Sequence, residues 1–100
     1  MKKVLIYLCV TFIFWLPVRV AQSSDFIAAR TAYIELDFKL AAQLFLELAR
    51  EGDHRGQSFM GRMHEKGWGV QQDLPESIRW HQLAAKQGNG YSAQKIAMAY

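Results

Sequence analysis

Cysteine is nearly absent. The single thiol, Cys9, lies in an apolar run near the amino terminus. Everything downstream therefore lacks the groups for a disulfide, a thiolate metal site or a cysteine nucleophile. Small exported domains often rely on disulfides; this chain has only packing. Proline is almost as scarce, with Pro17 and Pro75 alone, so long stretches are free to run as helix. Alternating strand patterns and β-branched clusters are missing after residue 25, which argues against a sheet. An excess of one charge is missing too. The chain has 12 Lys and Arg against 9 Asp and Glu, but Lys2, Lys3 and Arg19 fall in the leader and the remainder is balanced. The isoelectric point near 9.2 is thus a targeting feature, and nothing in the charge pattern supports binding of DNA or RNA.

What is present begins with that leader. Met1-Lys2-Lys3 is a positive head, Val4 to Leu16 is apolar apart from Thr11, Pro17 ends the run, and Ala21-Gln22-Ser23 offers small residues for a signal peptidase. This is the layout of a secretory signal peptide over 1–23, with cleavage expected between Ser23 and Ser24. The run is shorter than the roughly 20 residues of a membrane-spanning helix, so no stable span is expected after cleavage; an uncleaved anchor is the alternative. The expected location is periplasmic or secreted, in a bacterium.

From residue 25 the pattern is helical and repeats. Sliding the chain along itself so that Asp37 meets Asp73 also brings Ala49 onto Ala85, Gly52 onto Gly88, Met60 onto Ile96, Gly61 onto Ala97 and His64 onto Tyr100. Agreement is strongest at caps and small residues, where helix packing is most demanding. Asp37 and Asp73 are N-cap candidates, and Asp73 with Glu76 has the spacing of a capping box. Gly88 follows a last turn, where a left-handed residue is wanted. In 74–86, Glu76, Arg79, Gln82 and Lys86 form a polar stripe, while Ser77, Trp80 and Ala84 form a small or apolar face. In 53–66, Phe59, Met60, Met63 and His64 share one side. Arg55, Ser58, Arg62 and Glu65 share the other, which is expected to project into solvent. Gly61 in mid-helix implies a close helix approach; its match with Ala97 predicts room for a methyl group, so that Gly61→Ala is expected to be mild. Gly67-Trp68-Gly69 breaks the helix and opens a turn.

Gly56-Gln57, Met60-Gly61, His64, Gly67-Trp68-Gly69-Val70, Asp73, Ser77, Trp80-His81, Ala84-Ala85 and Gly88 together resemble a Sel-one-like repeat, a relative of the tetratricopeptide repeats. Departures are Gly56 and Ser77 for alanine, and His64 and His81 for tyrosine. The resemblance implies an all-α solenoid of stacked helical hairpins: an opening hairpin over 24–52, a complete repeat over 53–88, and the start of a following repeat over 89–100. Gly61, Gly67, Gly69, Asp73, Trp80, Ala84, Ala85 and Gly88 take its structural positions. It also implies an adaptor or scaffold that binds protein. Some disulfide-rich relatives are linked to β-lactam chemistry, but they depend on paired cysteines.

No catalytic, metal or cofactor site is legible. His64-Glu65 opens like a zinc-protease helix motif, but Trp68 stands where the second histidine belongs. Gly67-Trp68-Gly69 has no preceding strand and makes a poor phosphate loop. The expectation is therefore a non-catalytic module binding a protein partner through Arg55, Ser58, Arg62, Glu65 and Trp68, a regulatory subunit or inhibitor being one form of it. A hydrolase or small-molecule binder using the solenoid cleft is the alternative. Ile96, Met98 and Tyr100 have no following helix to cover them, which predicts fraying or self-association of 92–100.

Overall fold

The computed structural model describes 22–99, with side chains from residue 25. The expected leader therefore lies almost entirely outside the described residues. Five α-helices follow one another: α1 (Gln22–Ile34), α2 (Phe38–Arg50), α3 (His54–Lys66), α4 (Leu74–Lys86) and α5 (Gly90–Ala99). No strand occurs among the described residues. Each helix packs on the next in sequence, and α3 also touches α5, which is the arrangement of a solenoid of helix pairs.

The helix starts follow from aspartates. Asp37, Asp53 and Asp73 each cap a helix, their carboxylates accepting from the backbone N–H of Leu40, Arg55 and Glu76. The capping box at Asp73 is only half made, because the Glu76 carboxylate turns to Arg79. Pro75 occupies the first turn of α4, where a missing N–H costs nothing. Gly67 closes α3 in the left-handed region, with φ of 72°. At the first turn the same region is occupied by Leu36, φ 64°, a conformation that costs a non-glycine residue about 1–2 kcal/mol.

The core is built of small residues around a few large ones. Ala29, Ala32, Ala41, Ala42 and Ala49 let α1, α2 and α3 come close, and Phe45, Leu48, Met60, Met63 and Trp80 fill the remaining space. The buried face of α2 carries Ala41, Ala42, Phe45, Leu48 and Ala49, with Lys39, Gln43, Glu47 and Arg50 exposed opposite it. Phe45 is completely buried and stacks on Phe59, ring centroids 4.2 Å apart.

Gly56 is required by the crossing of α2 and α3. A Cβ there would stand 2.8 Å from the Ala49 backbone nitrogen and 2.9 Å from the Phe45 carbonyl oxygen. Gln57 beside it is buried; its amide donates to the Ala49 carbonyl and its carbonyl accepts from Gln87, so one side chain ties α2, α3 and the end of α4. The expectation for Gly61 is overturned. A Cβ at this position would lie 2.6 Å from Cε1 and Nε2 of His81. The space is taken by an imidazole ring that is itself 3% exposed, so it has no room for a methyl group.

Candidate functional site

The polar side of α3 does not project freely into solvent as its stripe suggests. Ser58 is buried. Arg55 bends back to Asp53, 2.8 Å from its carboxylate, and lies over the Phe26 ring at 4.2 Å. The hydrogen bond from Arg55 is the largest influence on Asp53 and holds its carboxyl below the usual range. Glu65 pairs with Lys95 of α5 at 3.3 Å. Arg62 sits where α1, α3 and α5 meet: its guanidinium carbon is 4.4 Å from the Tyr91 ring centroid, 4.9 Å from Phe59 and 6.0 Å from Tyr33. The physical reason is the stack itself. A central helix is contacted by α2 and α4 on one side and flanked by α1 and α5 on the other, and aromatic faces absorb the arginines that would otherwise need water.

Trp68 is also pulled inward. It stacks on Phe38 at 4.9 Å with rings 13° from parallel, and it is half-buried against the core. Gly69 follows with φ of 72°, so close to α2 that a Cβ would meet the Phe38 carbonyl oxygen at 2.1 Å. The tryptophan and the glycine together pin the α3–α4 connection to the start of α2. Trp68 is thus an anchor of the fold, and one of its faces is already used. Its sequence signature, an aromatic between two turn glycines, does not distinguish that role from ligand contact.

The seam of α1, α3 and α5 is the polar feature that gathers most of these side chains. It carries Arg55, Arg62 and Lys95 among Phe26, Tyr33, Phe59 and Tyr91. Asp53 and Glu65 answer Arg55 and Lys95. Arg62 makes no ion pair among the described residues, and its Nε is buried without a hydrogen-bond partner. Burial opposes its charge, but the phenol oxygens of Tyr33 and Tyr91 outweigh that and leave the guanidinium above its ordinary value. The contributions of Tyr33 and Tyr91 were missed in the sequence. The available signal was two tyrosines standing 29 positions to either side of Arg62, each on the helix that flanks α3.

A second polar group lies between α4 and α5. His81 Nδ1 and Ser92 Oγ are hydrogen-bonded at 2.8 Å, and Ser92 is fully buried. The other ring nitrogen, Nε2, is buried with no partner. Ser77 donates to the Gly61 carbonyl at 2.6 Å, so its hydroxyl is committed to packing. Beside them a cleft of about 280 Å3 is lined by Leu74, Ile78, Ile96 and Ala99 with Glu65 and Lys95. His64 Nδ1 lies 3.1 Å from the Gln71 carbonyl and so braces the turn. No group of three or more metal-ligating side chains occurs among the described residues, and no described helix is long and apolar enough to cross a membrane.

Burial lowers the pKa of His81. Among the charged groups near it, Glu65 opposes that shift, and Lys95 and Arg62 add to it. The folded protein then keeps the ring neutral while the unfolded chain protonates below about pH 6.5. Stability from this residue is complete above that value and is lost as pH falls toward the lowered folded pKa. The thermal unfolding midpoint should drop on acidification from neutral pH, and His81→Phe should flatten that drop. Calorimetry of both proteins across the range checks it; equal acid sensitivity would contradict a neutral buried ring.

Two adjacent segments, 31–53 and 54–89, match the Sel1 repeat model. The chain belongs to the Sel1 repeat family, in agreement with the helical stack and with the resemblance read from its motifs. It is 33% identical over 61 residues to DAP3-binding cell death enhancer 1 of Rattus norvegicus, a match that covers 61% of this chain and 12% of that protein. The chain thus spans about an eighth of the curated relative it matches. No solved structure matches. The family suggests a protein–protein interaction module.

Proposed function

We propose that the protein is an exported, non-catalytic module that binds another protein through the seam of α1, α3 and α5. The observation that carries this reading is the Arg62 guanidinium, held by rings from three helices and left without a carboxylate. Such a group is organised before any partner arrives, so little ordering entropy remains to oppose binding. Arginine and tyrosine are also the residue types that most often anchor protein interfaces. The relative named for binding DAP3 is consistent with a repeat used for protein recognition. Export rests on the Lys2-Lys3 head, the apolar run and the Ala21-Gln22-Ser23 site.

The hydrolase alternative has one observation in its favour, the hydrogen-bonded His81 and Ser92. Ser92 is fully buried, and a nucleophile must reach its substrate. The pair is better read as a polar bolt between α4 and α5.

A photo-crosslinking amino acid at Tyr91, compared with one at Gln43 on the opposite, exposed side of α2, tests the binding reading. In the native host, Tyr91 should capture a discrete protein outside the cytoplasm that Gln43 does not. Identical capture at both positions, or none, would sink the proposed face. Full-length protein retained in the cytosol would sink export.

A further inference from the structure

We propose that Arg62, with Tyr33 and Tyr91 beside it, is a seat for an aspartate or glutamate side chain that stands among apolar residues in an extended segment of the partner. This rests on the protein-binding reading above and adds the partner's chemistry.

The argument begins with the charges of the seam. Three cations line it, and two of them are spoken for: Arg55 by Asp53 at 2.8 Å and Lys95 by Glu65 at 3.3 Å. Arg62 is the remainder. It is half-buried, its Nε–H is sealed from solvent, and no acceptor meets that donor. The phenol oxygens of Tyr33 and Tyr91 offset the burial of this cation, but they and the rings supply dipoles and π-faces rather than a carboxylate. With Nε closed off, the two terminal amino groups are the part that an incoming carboxylate would meet, accepting one bond from each in parallel.

The neighbours favour a peptide over a small anion. Tyr91 is 38% exposed and bears a hydroxyl that can donate to a bound carboxylate. Phe26 and Tyr33 extend the seat along α1 as apolar surface, partly buried against the core. An extended segment could lay aliphatic side chains on those rings while its carboxylate meets Arg62. The arrangement is cationic and aromatic rather than broadly basic, because the other two cations are neutralised in place. It therefore selects an acidic residue set among apolar ones, rather than a run of negative charge.

The test uses the full chain and an array of random peptides fixed through their carboxyl ends, so that no terminal carboxylate is presented. Each peptide has a twin in which every Glu is replaced by Gln and every Asp by Asn. Wild-type protein should be retained on acidic peptides about tenfold better than on their twins, the scale of a charge-assisted hydrogen bond. Arg62→Gln should bring that ratio close to one. Tyr91→Phe, which keeps the ring on a partly exposed surface, should reduce it several-fold and covers the case in which the arginine variant is poorly folded. Lys86→Gln, on the exposed end of α4, should leave the ratio unchanged. Peptide binding with no preference for the acidic twin overturns the seat and leaves the protein-binding reading standing, as does a preference that survives both Arg62→Gln and Tyr91→Phe. Failure to bind any peptide of either set counts against both.

Discussion

Phe45→Ala should lower the stability of the protein by about 3–5 kcal/mol, the usual cost of emptying a large buried aromatic site. Phe45 is 0% exposed and is the fully buried ring of the aromatic cluster: it stacks on Phe59 at 4.2 Å and meets Phe26 and Tyr33 edge-on at 6.2 and 6.3 Å. These partners come from α1 and α3, while Phe45 belongs to α2. Truncating it therefore loosens two helix interfaces at once. Native proteins are stable by only about 5–15 kcal/mol, so a loss of this size removes a large share of the total. Urea unfolding followed by helical circular dichroism should show the midpoint collapsing toward zero denaturant. Leu40→Ala, at a position 43% exposed, is the comparison and should shift it little. A Phe45→Ala midpoint close to that of Leu40→Ala would refute the central place given to this ring.

Gly61→Ala should destabilise by about 1–2 kcal/mol, although alanine is the better helix former by about 1 kcal/mol. The added methyl group meets the His81 ring at 2.6 Å, and overpacking of this kind costs about 1–3 kcal/mol. The ring has little freedom to yield, since Ser92 holds Nδ1 at 2.8 Å and both residues are buried. The second arm is a double-mutant cycle. His81→Ala removes the obstacle, so Gly61→Ala should be neutral or stabilising in that background. A penalty of equal size with and without the imidazole would show that the ring is not what the glycine accommodates.

The helices and their caps were legible because they depend on local chemistry. Asp37 and Asp73, the break at Gly67 and the left-handed Gly88 are each fixed within a few residues of chain. The seam was not legible. Arg55, Ser58, Arg62 and Glu65 share a stripe that looks solvated on an isolated helix, and only the positions of α1 and α5 convert it into a contact zone. The error at Gly61 has the same origin. The shift that pairs it with Ala97 compares backbone positions, but the space available is set by the side chain opposite. Here that is His81, at a position where the Sel1-like pattern carries tyrosine. Leu36 in the left-handed region gives no sign of itself, because leucine is not a residue that turns select for.

The order of the helices in space follows their order along the chain, and this bears on how the molecule assembles. Each hairpin finds its partner after closing a loop of only a few residues, so little chain entropy opposes the early steps. The Tyr33–Arg62–Tyr91 bridge is different, for it joins segments far apart in sequence and can form only after the hairpins between them have stacked. It is a late contact. Interactions made late act chiefly on the rate at which a native protein comes apart, so this bridge bears more on how long the stack lasts than on how fast it forms.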